Sequence, residues 1–110
     1  MKTYPLKVDE ETINLIPIAC KYADGKSLAV LLYTEDGEDY ADITVNISET
    51  KIWGGDDKAF VDTNNCPWAI DFIEENGIGT PVGHIGHSGF CTYPLYMFNL
   101  DKFDKEEDRL

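Results

Sequence analysis

The hydrophobic pattern of this chain repeats mostly every second residue. Residues 40–47 alternate cleanly, with Tyr40, Asp42, Thr44 and Asn46 on one side and Ala41, Ile43, Val45 and Ile47 on the other. Alternation of this kind makes one strand face apolar and predicts a half-buried strand. Just upstream, Leu28 to Tyr33 is the most apolar run in the chain. It is too short for a helix and is bounded by the turn pairs Asp24-Gly25 and Asp36-Gly37, so it predicts a central strand. The two runs together predict a β-hairpin over residues 28–47. Ile13 to Tyr22 alternates more loosely and predicts another strand, with Pro17 at a bulge or an edge. Thr3 to Val8 and Ala59 to Asp62 are shorter β segments.

A period of 3.6 shows in one place. Ala69, Phe72 and Ile73 fall at i, i+3 and i+4 with Trp68 beside them, which predicts one helix over 66–76. Asn64 or Asn65 is placed to cap it, Pro67 suits its first turn, and Gly77 suits its C′ position. Residues 48–58 read as loop. Residues 78–87 also read as loop, because Gly79, Pro81, Gly83 and Gly86 are all turn formers. Phe90 to Leu100 predicts a strand returning to the sheet, with Pro94 marking an edge, a bulge or a break. The expected fold is α+β: a twisted antiparallel sheet of about five strands with the 66–76 helix on one face. The expected core is Ile16, Ile18, Leu28, Val30, Leu32, Ile43, Val45, Phe60, Ala69, Phe72, Ile73, Phe90 and Leu95. Residues 1–100 are read as one domain and 101–110 as an acidic tail.

Charge narrows the functional classes. Acidic residues outnumber basic ones 21 to 9, for a formal net charge of −12, and the sole arginine is Arg109. Phosphate contacts supply most nucleic-acid affinity, and arginine is the residue best suited to them. Direct binding to DNA or RNA is therefore disfavoured. No apolar run approaches membrane-spanning length, and nothing at the N-terminus reads as a signal peptide. Cys20, Cys66 and Cys91 are an odd number at wide spacings, which argues for a reducing, cytoplasmic setting rather than a disulfide framework.

Four groups of residues could carry chemistry. Glu35, Asp36, Glu38 and Asp39 crowd one hairpin tip and form a dense anionic knob, the best local candidate for contacting a basic partner protein. Asn64, Asn65, Trp68, His87, Ser88, Gly89, Tyr93 and Tyr96 form an alternative ligand-binding set. In that reading the backbone of 86–89 makes an anion nest, and the helix start near Cys66 adds a second anion site. His84, His87 and Cys91 could join Cys66 or an acid around zinc, although the spacing is not a paired knuckle. Cys66 or Cys91 with a histidine could form a nucleophile–base pair, but no orienting group or oxyanion site is apparent. The preferred reading of these last two groups is packing cysteines and loop histidines, with no metal, no cofactor and no catalysis.

The segments Val61-Asp62-Thr63-Asn64-Asn65-Cys66-Pro67 and Ser88-Gly89-Phe90-Cys91-Thr92-Tyr93-Pro94-Leu95-Tyr96-Met97-Phe98 carry a resemblance. They look like the D-T-N-N-x-P and S-G-F-x-x-Y-P-L-Y-x-F motifs of a family of small uncharacterised proteins carried on conjugative elements, plasmids and phages of gut bacteria. The hairpin at Leu28-Ala29-Val30, Thr34-Glu35-Asp36-Gly37 and Thr44-Val45-Asn46 is similar as well. Members often carry arginine where this chain has His87. The resemblance implies a mobile-element setting and assigns no catalytic residue. The expected function is non-enzymatic inhibition of a basic host protein, such as a defence or nucleic-acid-handling component, through the acidic surface, with nucleic-acid mimicry as one form of it and plain solubility as the other reading of the charge. The first alternative is binding or sequestration of a nucleotide signal, and the second is a metal-dependent or cysteine hydrolase. The chain is expected to be a monomer or a homodimer.

Overall fold

The structure is a computed structural model and describes residues 2–105. Its elements run β1 (Tyr4–Val8), β2 (Glu11–Lys21), β3 (Leu28–Thr34), β4 (Asp39–Asp42), β5 (Thr44–Val45), α1 (Thr50–Trp53) and β6 (Lys58–Val61). They continue as α2 (Ala69–Glu75), β7 (Gly79–Ser88), β8 (Cys91–Phe98), a 3₁₀ turn at Leu100–Lys102, and β9 (Asp104–Lys105).

The expected single sheet is in fact two. β1, β2, β3 and β4 form one antiparallel sheet in that spatial order, and β9 joins it parallel to β2. The second sheet has the order β5-β6-β8-β7 and is antiparallel throughout. The strand expected over 40–47 is what divides them. At Ile43 the chain leaves the first sheet and enters the second. The Ile43 N–H donates to Val30 O at 3.1 Å, and its carbonyl accepts from Asp62 N at 2.8 Å. Strands can change sheet at such corners, and in–out alternation can run through the corner, so the pattern reads as one strand. Thr44 holds the corner. Its Oγ1 accepts from Val30 N at 3.1 Å and donates to Asp42 Oδ1 at 2.9 Å.

The core follows from this topology. One cluster joins Leu28, Val30 and Leu32 of the first sheet to Ala59, Val61, Tyr96 and Phe98 of the second, together with Ala69, Phe72 and Ile73 of α2. Side chains alternate along β8, so Tyr93 and Leu95 point to its other face. There they pack with Phe60 and Ile47 in a second cluster. A third cluster, Ile16, Ile18 and Tyr33, packs with Leu31 on the first sheet. Two expected core residues are corrected. Val45 is only half-buried. Phe90 is fully exposed, because β8 begins one residue later and Phe90 sits in the turn.

The helix starts later than expected. Asp62, rather than an asparagine side chain, organises the turn before it. Its Oδ1 accepts from Asn65 N at 3.2 Å and its Oδ2 from Asn65 Nδ2 at 2.9 Å. Trp68 is the N-cap of α2 and makes no side-chain cap bond. The C-terminal end is as expected. Gly77 has φ +64°, and Ile78 N donates to Ile73 O at 3.0 Å, the six-to-one bond of a Schellman cap. The loop expected over 48–58 contains the single turn α1. The loop expected over 78–87 is mostly β7, whose pairing with β8 slips between Pro81 and Ile85.

Both interior prolines fall where a ladder is interrupted. β2 pairs with β1 up to Leu15 and with β9 from Ile18, and Pro17 stands in the gap. On β8, the pairing with β6 ends at Leu95, so Pro94 lies just beyond it. A residue with no N–H to donate can stand in an interior strand at such gaps. The tail expected from Asp101 begins as structure. Phe103 is buried against Phe98, with ring centroids 6.0 Å apart. Residues 106–110, including Arg109, lie outside the described residues.

The β2–β3 turn is tied by one carboxylate. Asp24 Oδ1 accepts from Lys26 N and Ser27 N, each at 2.8 Å, and Oδ2 accepts from Ser27 Oγ at 2.6 Å. These bonds, Ser27's hydroxyl first, lower the Asp24 pKa from 3.8 to about 2. A carboxylate with a depressed folded pKa stabilises above its unfolded pKa and loses that contribution as pH falls. The contribution of Asp24 is thus complete above about pH 4 and fades toward pH 2. In Asp24→Asn the loss of urea resistance between pH 4 and pH 2 should be shallower than in the unsubstituted protein. Parallel loss in the two proteins across that window would refute the assignment.

Candidate functional site

The two acidic turns of the first sheet share one end of it. β2 starts at Glu11, four residues before Leu15, and Leu15 pairs with Thr34 at the end of β3. The β1–β2 turn, Asp9-Glu10-Glu11, therefore emerges at the same end as the β3–β4 tip. That tip is closed by Thr34 N to Glu38 O and Gly37 N to Thr34 O, both at 2.9 Å. Asn14 Nδ2 donates to Glu35 Oε1 at 3.2 Å and ties the tip to β2. Asp9, Glu10, Glu11, Glu35, Asp36, Glu38 and Asp39 are all exposed. The tip is visible in the sequence as a run of charge. The convergence with residues 9–11 needed the strand register.

The alternative ligand set is distributed over several places. Asn65 is bonded to Asp62, and Trp68 packs edge-on against Tyr40 at 5.8 Å and Phe72 at 6.2 Å. Asn64 is exposed beside them. His87, Ser88 and Gly89 lie at the β7–β8 end. Tyr93 and Tyr96 face opposite sides of β8 and belong to different clusters. The Tyr96 hydroxyl donates to Glu74 on α2, and burial, aided by Glu74, raises its pKa to about 12. No one concavity among those described is lined by this set.

The histidines have a partner that the sequence did not suggest. Glu49 Oε2 accepts from His87 N at 2.7 Å, and Oε1 lies 3.1 Å from His84 Nε2. The Trp53 ring stacks on His84 with centroids 4.0 Å apart. The His87 amide bond, then the His84 contact, holds Glu49 below the usual carboxylate range. This arrangement ties the segment before α1 to the edge strand β7 and satisfies an N–H there. Among the described residues, no three histidine, cysteine or acidic side chains gather in a geometry for a metal.

Among the described residues no cysteine forms a disulfide. Cys66 is buried, with Sγ 3.7 Å from Asp42 O. Desolvation first, then the charges of Asp62 and Asp42, push its thiol pKa up. A thiol held protonated in this way packs as a small apolar side chain. Nearby, the Tyr22 hydroxyl meets Thr44 Oγ1 at 2.8 Å, and burial raises the Tyr22 pKa to about 12.

Residues 18–109 match a family described as a domain of unknown function, DUF4313. The chain belongs to the DUF4313 family. No curated protein and no solved structure matches it. The DUF4313 match takes in the acidic tip at 35–39 and begins after the turn at 9–11. Among the described residues of this DUF4313 chain, no helix is long and apolar enough to cross a membrane.

Proposed function

We propose that this DUF4313 protein acts by binding rather than by catalysis, engaging a basic surface of a partner protein with the acidic end of its first sheet. One observation carries this reading: seven exposed carboxylates from two separate turns leave the sheet at the same end. Across those two turns the sequence has no lysine or arginine; the nearest along the chain is Lys7 on β1. Carboxylates grouped in this way act together within a screening length of about 8 Å at physiological salt. They steer a basic partner and speed its capture.

The resemblance to proteins of conjugative elements, plasmids and phages supplies a setting for this binding. The partner is a basic host protein, such as a nucleic-acid-handling component of defence, and the carboxylates occupy a surface made for phosphates. The reading predicts a salt-sensitive complex. Immobilised protein exposed to host lysate should retain a basic protein at low salt and release it at high salt. Neutralising the tip with Glu35→Gln, Asp36→Asn and Glu38→Gln should weaken retention of that same protein roughly tenfold, since exposed ion pairs contribute about 0.2–1 kcal/mol each. Retention that ignores both salt and the tip substitutions would refute it.

A further inference from the structure

β4 is at one edge of the first sheet, and its pairing with β3 slips between Leu32 and Tyr33. Asp42 stands opposite Leu31, and Asp39 stands opposite Tyr33. At this slip lies a concavity of about 250 Å³, lined by residues 31–33 and 39–42. Pockets that take a whole small-molecule ligand usually measure roughly 300–1,000 Å³, so this one suits a single side chain better. Among the described residues its lining combines apolar surface with two carboxylates and includes no basic side chain.

Both carboxylates have free acceptor capacity. The Asp39 side chain is exposed, and its carboxylate makes no hydrogen bond or ion pair with the described residues. Asp42 takes both of its side-chain bonds on Oδ1, from Thr44 N at 3.0 Å and Thr44 Oγ1 at 2.9 Å, which leaves Oδ2 without a donor among the described residues. Leu31 and Tyr33 belong to the apolar cluster that also holds Ile16 and Ile18.

We propose that this concavity receives one basic side chain, an arginine or a lysine, from the partner protein. The proposal rests on the binding function inferred for the acidic end, and it places one specific contact beside the tip. Arginine and lysine carry an apolar stem and a cationic head. Such a side chain can cover Leu31 and Tyr33 with its stem and bring its head to Asp39 and Asp42. A guanidinium can also pair with carboxylates through two parallel bonds. Desolvation, with Asp62 adding to it against the Thr44 bonds, raises the Asp42 pKa, and a cation in the concavity offsets that cost.

The test is an amide NMR titration of the full chain with N-acetyl-arginine amide and, separately, N-acetyl-lysine amide. Saturable shifts confined to residues 31–33 and 39–42 are expected. Asp39→Asn, isosteric and at an exposed position, should weaken the probe about tenfold while leaving the rest of the spectrum in place. The tip variant with Glu35→Gln, Asp36→Asn and Glu38→Gln removes only longer-range attraction and should weaken the probe clearly less than Asp39→Asn does. Absent or non-saturating shifts, or shifts equal in Asp39→Asn, overturn the proposal. If the probe fails while the tip still captures a basic protein in a salt-dependent way, only this contact is refuted. If the probe titrates residues 31–42 but tip neutralisation has no effect on partner capture, the role given to the tip is refuted and the contact stands.

Discussion

Replacing Phe72 with alanine is expected to cost about 3–5 kcal/mol, among the largest losses available from one substitution in this chain. Phe72 is 1% exposed and lies in the cluster that both sheets and α2 share. Its ring also meets Trp68 edge-on at 6.2 Å. Truncation therefore removes more than transferred apolar surface. It opens a void where three elements meet, and neither sheet can collapse inward without breaking its own ladder. A domain of this size is usually stable by only about 5–15 kcal/mol, so the variant should be marginal. Urea unfolding should show a much lower midpoint at an unchanged slope. A loss under about 1 kcal/mol would mean that α2 does not join the two sheets.

That expectation could be written from the sequence alone, because Phe72 lies on a helical stripe with Ala69 and Ile73. The division of the sheets could not. Ile43 keeps its place in an alternating pattern while its N–H serves one sheet and its carbonyl the other. Alternation reports which side of a strand is buried and carries no information on which neighbour receives the backbone bonds. The anionic tip at 35–39 was legible as a charge run between two strand patterns. Its meeting with residues 9–11 depends on the length and register of β2, which a composition reading does not reach. The concavity at 31–33 and 39–42 arises from a one-residue slip in pairing, and local propensity gives no sign of a slip like that. The Glu49 contacts were hidden for a similar reason, since Glu49 reaches residues 35 and 38 positions away.

Residues 78–87 have the composition of a loop and the structure of a strand, and Gly86 explains the difference. A glycine can mark a turn, or it can mark a place where another group comes close to the backbone. Gly86 is of the second kind. It is buried in β7 opposite Tyr93, and a Cβ there would lie 2.6 Å from Phe60 Cε1 and 2.7 Å from Ile47 Cδ1. Gly86→Ala should therefore cost about 1–3 kcal/mol by overpacking. The clash involves the Phe60 ring, so the cost should depend on that ring. In a Phe60→Leu background the Cε1 contact is gone, and only the flexible end of the Ile47 side chain must still shift to admit the methyl.

The same substitution at Gly86 should then be much less harmful, with a favourable coupling of about 0.5–3 kcal/mol across the four proteins of the cycle. Urea midpoints for all four measure it. Additivity within about 0.5 kcal/mol would mean that β7 swings away from Phe60 instead of pressing on it. The position also bears on the histidines. Close approach at Gly86 brings Ile47 against β7, and Glu49, two residues on, reaches His84 and His87 from there. Gly86→Ala should therefore lower the protection of the His87 amide against hydrogen exchange more than that of other β7 amides, because the carboxylate that accepts from it is displaced.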